Sequence, residues 1–173
     1  NQLFYDERRP DPGTPGASTA PWADEEEAGA EDPGTVTVPD ETTSEETTPQ
    51  TPEDADYSSE VIRLANQERA KEGLAALQTN DVISEAAQVR AAELPTLFDH
   101  TRPDGSSCFT ALNEAGVRYW TAGENIAAGY STPAQVVAGW MNSPGHRANI
   151  LNGSFTTIGV GREGNYWVQL FTA

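Results

Sequence analysis

The sequence predicts an α+β domain, four helices around a small antiparallel sheet, preceded by an acidic low-complexity tail. Three observations carry this. Composition breaks near residue 56; capped, amphipathic stretches follow; and the chain closes on two β-rich runs around a Gly-Asn turn. Residues 1–56 hold sixteen Asp/Glu against two Arg, a net of −14, with eight of the twelve prolines. Residues 57–173 carry a net of −3, which completes the formal −17. The first part has too few aliphatic side chains to offset its ordering entropy, so it reads as a linker or pro-segment, disordered unless docked. Leu3-Phe4-Tyr5 and Trp22 are its apolar exceptions, candidates for docking. The remaining 117 residues suffice for one compact domain.

The first helix is expected from Ser58 or Ser59, as cap, to Glu72, with Gly73 as the stop and Val61, Ile62, Leu64 and Ala65 inward. The second runs from Asp81 to Leu94 behind Asn80, with Ile83, Ala86, Ala87 and Ala91 inward and Pro95 ending it. The third spans Ser107 to Ala115 and turns Cys108, Ala111 and Leu112 to one side. A strand is expected at Glu124–Ala128. Thr132 with Pro133 opens the fourth helix, bearing Val136, Val137 and Trp140, and Ser143-Pro144 repeats the device for a single turn bearing His146. Residues 157–161 and 166–171 read as a hairpin. Trp120, Trp140 and Trp167 are assigned to the core, with a place lining a cleft as the alternative for one of them.

Acidity and a single lysine in the domain, Lys71, argue against nucleic acid. No run is long and apolar enough to span a bilayer. One cysteine excludes an intrachain disulfide framework. No secretory signal precedes Asn1, and a trimmed signal or anchor is part of the expectation.

Chemistry-bearing residues are few. The chain has two histidines, His100 before a Pro-Asp-Gly turn and His146 in the first turn behind Ser143. There, helix N–H groups favour a neutral imidazole, the form that binds a metal or accepts a proton. Glu124 heads an apolar strand and needs a partner, Arg147 or a backbone N–H. Each has an ordinary structural alternative when taken singly. Cys108 faces inward and reads as inert packing. No His-Glu-x-x-His helix, paired-cysteine motif or Gly-x-Ser-x-Gly elbow is present.

Together the motifs say more. Asn66-Gln67-Glu68-Arg69, the 98–105 loop around His100, Gly123-Glu124-Asn125-Ile126-Ala127-Ala128-Gly129, Trp140 through Leu151, Ile158-Gly159-Val160-Gly161 and Tyr166-Trp167-Val168-Gln169 occur in that order. In this, residues 58–173 resemble the CAP (SCP) superfamily of cysteine-rich secretory, antigen 5 and pathogenesis-related 1 proteins, in its bacterial secreted branch. The resemblance implies a three-layer α-β-α sandwich whose cleft gathers His100, His146 and Glu124, and an extracellular or cell-surface location. It also implies that a divalent cation, zinc first, can sit on the histidines, with Glu124 reached through water. Ser143 stands where the eukaryotic branch has a second glutamate, and the eukaryotic disulfides are absent.

Two functions follow from the resemblance. The first is a binding module whose cleft takes a small lipid-like or peptide ligand or an extracellular partner. The second is a metal-dependent hydrolase or peptidase with Glu124 as general base and the histidines as further catalytic candidates. Two protein ligands fall short of the usual three at catalytic zinc, which favours binding. A third expectation concerns the tail: its carboxylates or Phe4-Tyr5 plug the cleft, or it docks on a neighbour.

Overall fold

The computed structural model describes residues 2–8 and 52–173, with side chains from Tyr57 onward. Most of the expected acidic linker, 9–51, and Trp22 with it, lies outside the described residues. The elements are β1 (Gln2–Arg8), α1 (Pro52–Lys71), α2 (Asp81–Glu93), α3 (Thr110–Glu114), β2 (Ala122–Ala128), α4 (Pro133–Asn142), α5 (Pro144–Ile150), β3 (Thr157–Glu163) and β4 (Tyr166–Thr172).

Local chemistry sets most boundaries. Asn80 caps α2 by accepting from the Ile83 amide at 3.1 Å, and Thr132 caps α4 by accepting from Gln135. At the end of α1, Gly73 takes φ +70°, so the amides of Gly73 and Leu74 can close back on the carbonyls of Ala70 and Arg69. The start of α1 corrects the expectation: the helix begins at Pro52, and Ser58 and Ser59 lie inside it. Thr51-Pro52-Glu53-Asp54 carries the stronger start signal, proline at the first turn followed by acids. Helix α3 is shorter than expected, because residues 107–109 form a turn ahead of it. By contrast α5 runs two turns rather than one, through Asn149 and Ile150, both buried.

Strands β2, β4 and β3 form an antiparallel sheet, with Asn125 opposite Gln169 and Val160 opposite Gln169 on the other side. The hairpin closes through Gly164 (φ +55°) and Asn165. The tail contributes β1, parallel to β2 at the sheet edge, Gln2 opposite Ala122 through Arg8 opposite Ala128.

Alternation along the strands divides the core into two layers, giving the α-β-α sandwich. Ile126, Val168 and Leu170 meet Ile83, Ala87, Phe109 and Leu112 of the α2–α3 side. Ala127, Trp167 and Phe171 meet Val61, Ala65, Val137, Trp140 and Ile150 of the α1–α4–α5 side. Gly159 and Gly161 let β3 lie directly against α2, since a Cβ at either would collide with the Ile83 or Ala87 carbonyl. Trp140 and Trp167 are fully buried, whereas Trp120 is 95 % exposed, contrary to its assignment to the core. The backbone explains this: the Trp120 amide is tied to the Ala173 carbonyl in the turn entering β2, outside both layers.

Candidate functional site

Glu124 enters from β2 on the α2 side and is completely buried. Its partner is Arg90, not Arg147. Arg90 Nε donates to Oε2 at 2.9 Å and Nη2 to Oε1 at 3.3 Å. The same guanidinium donates to Glu93 Oε2 at 2.6 Å and to the Asp99 carbonyl at 2.8 Å. Arg147 pairs instead with Glu72 at the surface, at 3.1 Å. Burial disfavours the charge on Arg90, but its bonds to Glu124 and Glu93 outweigh that and raise its pKa.

His100 completes the arrangement, with Nδ1 2.7 Å from Glu124 Oε1 and a side chain 18 % exposed. Its loop is held from both ends. Beyond the Arg90–Asp99 bond, the Cys108 amide donates to the His100 carbonyl at 2.9 Å, and Asp99 Oδ1 accepts from Thr101 N at 2.7 Å. Arg102 then anchors the loop to both neighbouring helices, reaching Glu93 at 2.7 Å and Glu114 at 2.8 Å. A continuous chain Glu124–Arg90–Glu93–Arg102–Glu114 therefore links β2, α2, the loop and α3. A carboxylate that accepts from a guanidinium and an imidazole has the means to fix that imidazole as the Nδ1–H tautomer.

His146 arrives from the other layer. Ser143, the residue before α5, makes no capping bond to the backbone; its hydroxyl lies 2.8 Å from His146 Nδ1. The His146 carbonyl accepts from Asn125 Nδ2 at 3.2 Å, on the strand position next to Glu124. A buried amide relay continues from there. Asn149 Nδ2 donates to Asn125 Oδ1 at 2.9 Å, and Asn125 Nδ2 to Gln169 Oε1 at 3.0 Å. The C-terminal carbonyls beyond His146 are taken by Arg69, which donates to Ile150 O at 2.9 Å and Asn152 O at 2.8 Å. Thus His100 and Glu124 are in contact, while His146 is joined to the same strand through Asn125.

Among the described residues, the potential ligand atoms of His100, Cys108 and Glu124 lie within 4.8 Å of one another; His146 is outside that group. The group does not fit the inner shell of a cation. Arg90 already occupies both Glu124 oxygens, and burial, then the Glu124 charge, pushes the Cys108 thiol up, keeping it protonated. Each imidazole has its Nδ1 beside a protein oxygen, Glu124 Oε1 for His100 and Ser143 Oγ for His146.

Sequence reasoning passed over Arg90, although the signal was there: Ile83, Ala86, Ala87, Arg90 and Ala91 share one helical face, and an arginine inside an apolar stripe needs a buried acid. Glu93 and Arg102 carry no such signal, since their pairing depends on the loop's path.

The chain belongs to the CAP family, the cysteine-rich secretory protein family, whose model matches residues 62–171. It is 45 % identical over 119 residues to the uncharacterized protein YkwD of Bacillus subtilis (strain 168), covering 66 % of this chain and 46 % of that one. It is also 35 % identical over 114 residues to the uncharacterized membrane protein YlbC of the same organism, covering 65 % and 33 %. Among solved structures, an extracellular protein containing a SCP domain from Bacillus anthracis str. Ames superposes with a TM-score of 0.67 at 29 % identity, covering 73 % of this chain and 45 % of that one. The chain spans less than half the length of each of these relatives. Among the described residues no helix is long and apolar enough to cross a membrane.

Proposed function

We propose that this chain is an extracellular or cell-surface binding module in which His100 and His146 flank a cleft for a divalent cation, zinc first, and a small ligand. The observation that carries the reading is the 2.7 Å contact between His100 Nδ1 and a carboxylate already fixed by Arg90. Outer partners of this kind fix the orientation of a metal-binding imidazole. Glu124 acts here as the orienting group rather than as an ion ligand or a base. Both its oxygens are engaged and no part of it is exposed, so it has no route to a substrate's water. Binding is therefore favoured over hydrolysis. An ion held by the two imidazoles would supply a Lewis-acidic anchor for a ligand oxygen. The chain's own part is to keep both rings oriented before the ligand arrives, through Arg90 and Glu124 on one side and Ser143 and Asn125 on the other. The extracellular placement rests on the family's description and on the Bacillus anthracis relative.

Metal content by mass spectrometry after dialysis against zinc tests the reading. Wild type is expected to retain one ion per chain and the His100→Ala, His146→Ala double variant none. Equal content in the two would remove the site.

A further inference from the structure

The edge of β2 raises a separate question. Its sequence, Ala-Gly-Glu-Asn-Ile-Ala-Ala, has no lysine and no proline and pairs without a bulge; its one charge, Glu124, points inward to Arg90, and Ala122 through Ala127 are buried. Such a strand needs a neighbour on both sides. One is β4; the other is β1, seven residues in continuous parallel register that also touch α5, the helix bearing His146. Yet β1 is no covalent neighbour of the sheet. Residues 9–51 separate it from α1, and among the described residues it meets the domain through pairing with β2 and its approach to α5. Its sequence has apolar Leu3-Phe4-Tyr5 followed by charged Asp6-Glu7-Arg8, a short peptide with a distinct head and tail.

We propose that the β2 edge beside α5 is a peptide-recognition site working by strand addition, with residues 2–8 as its resident, exchangeable occupant in cis. Backbone pairing supplies the affinity, and the parallel direction fixes the peptide's polarity. Tethering makes the local concentration of the resident strand high, so a competing peptide binds only once the strand is displaced. The ligand class is an extended peptide with an apolar stretch preceding a charged one. None of this depends on whether the histidines hold an ion.

The test uses the full chain carrying Phe4→Pro and Tyr5→Pro together. In an edge strand, alternate residues donate to the neighbour, so one of two consecutive prolines removes a ladder bond whichever alternation holds. Amide hydrogen exchange is read by NMR along residues 122–128. Amides of β2 that face β1 are expected to exchange at least about tenfold faster, while those paired to β4 keep their protection. A synthetic peptide, Asn-Gln-Leu-Phe-Tyr-Asp-Glu-Arg, is expected to restore protection to the variant, and a scrambled peptide is not. In wild type, protection is expected to hold on about a hundredfold dilution, as an intramolecular contact requires. Unchanged exchange in the variant, restoration by the scrambled peptide, no restoration by the native one, or loss on dilution would each overturn the proposal.

Discussion

Replacing Arg90 by methionine keeps most of the side-chain bulk and removes the charge that neutralises Glu124. Both side chains are fully buried, and the guanidinium makes four bonds of 2.6 to 3.3 Å: two to Glu124, one to Glu93 and one to the Asp99 carbonyl. Removing one member of a buried pair leaves an uncompensated charge and costs about 3–5 kcal/mol. Against a total stability of about 5–15 kcal/mol, that is a large share. For a domain of this size it corresponds to a fall of roughly 10–20 °C in Tm. Removing both charges is a different case, since apolar replacement of a buried pair is often close to neutral. The double variant Arg90→Met, Glu124→Leu should therefore lie within about 2 kcal/mol of wild type, less destabilised than Arg90→Met alone. Urea unfolding of wild type, both single variants and the double variant, with m-values compared, measures this. An Arg90→Met loss below about 1 kcal/mol, or strictly additive single losses, would refute the argument that this pair is the core of the site.

Other consequences follow from the same charges. Cys108 should resist alkylation in the native state up to about pH 9 and react readily in urea, because burial and then Glu124 raise its pKa from the usual 9.0. With the folded value above the unfolded one, the thiol's contribution is complete below that pH and is lost as pH rises beyond it, so wild type should lose more alkaline stability than Cys108→Ala. Glu93 shows the opposite sign: burial works against its charge, but bonds to Arg102 and Arg90 prevail and lower its pKa. Its contribution is present above the ordinary 4.5 and lost as pH falls below it, so Glu93→Gln should flatten the acid limb of the stability curve. Trp120→Ser should change stability by no more than about 0.5 kcal/mol by thermal melting, as a 95 % exposed side chain has little apolar area to lose.

The parts of this fold that sequence reveals are those decided by neighbouring residues. Asn80, Thr132-Pro133, Gly73 and Gly164-Asn165 each fix a boundary through a bond or a dihedral within a few positions, and each stands where expected. The start of α1 is hidden because Ser58 and Ser59 imitate a cap inside a helix that Pro52 already opens. Pairing of β1 with β2 joins residues 120 positions apart, such as Tyr5 and Asn125, and no local signal encodes it. The exposure of Trp120 has the same origin, since a tryptophan's burial is set by where the chain carries it. Within the site, the motifs identified His100, Glu124 and His146, but not which acid or base holds which. Arg90 was legible from its helical spacing. Arg102 became legible only once the loop had folded over Glu93.

The most direct test of the central claim is the ring state of His100, read by long-range proton–nitrogen NMR with and without zinc. An imidazole clamped by Glu124 is expected to show the Nδ1–H tautomer at neutral pH, and only its Nε2 resonance should move as zinc is added. An Nε2–H tautomer in the free protein, or a ring whose nitrogens ignore zinc, would contradict the account.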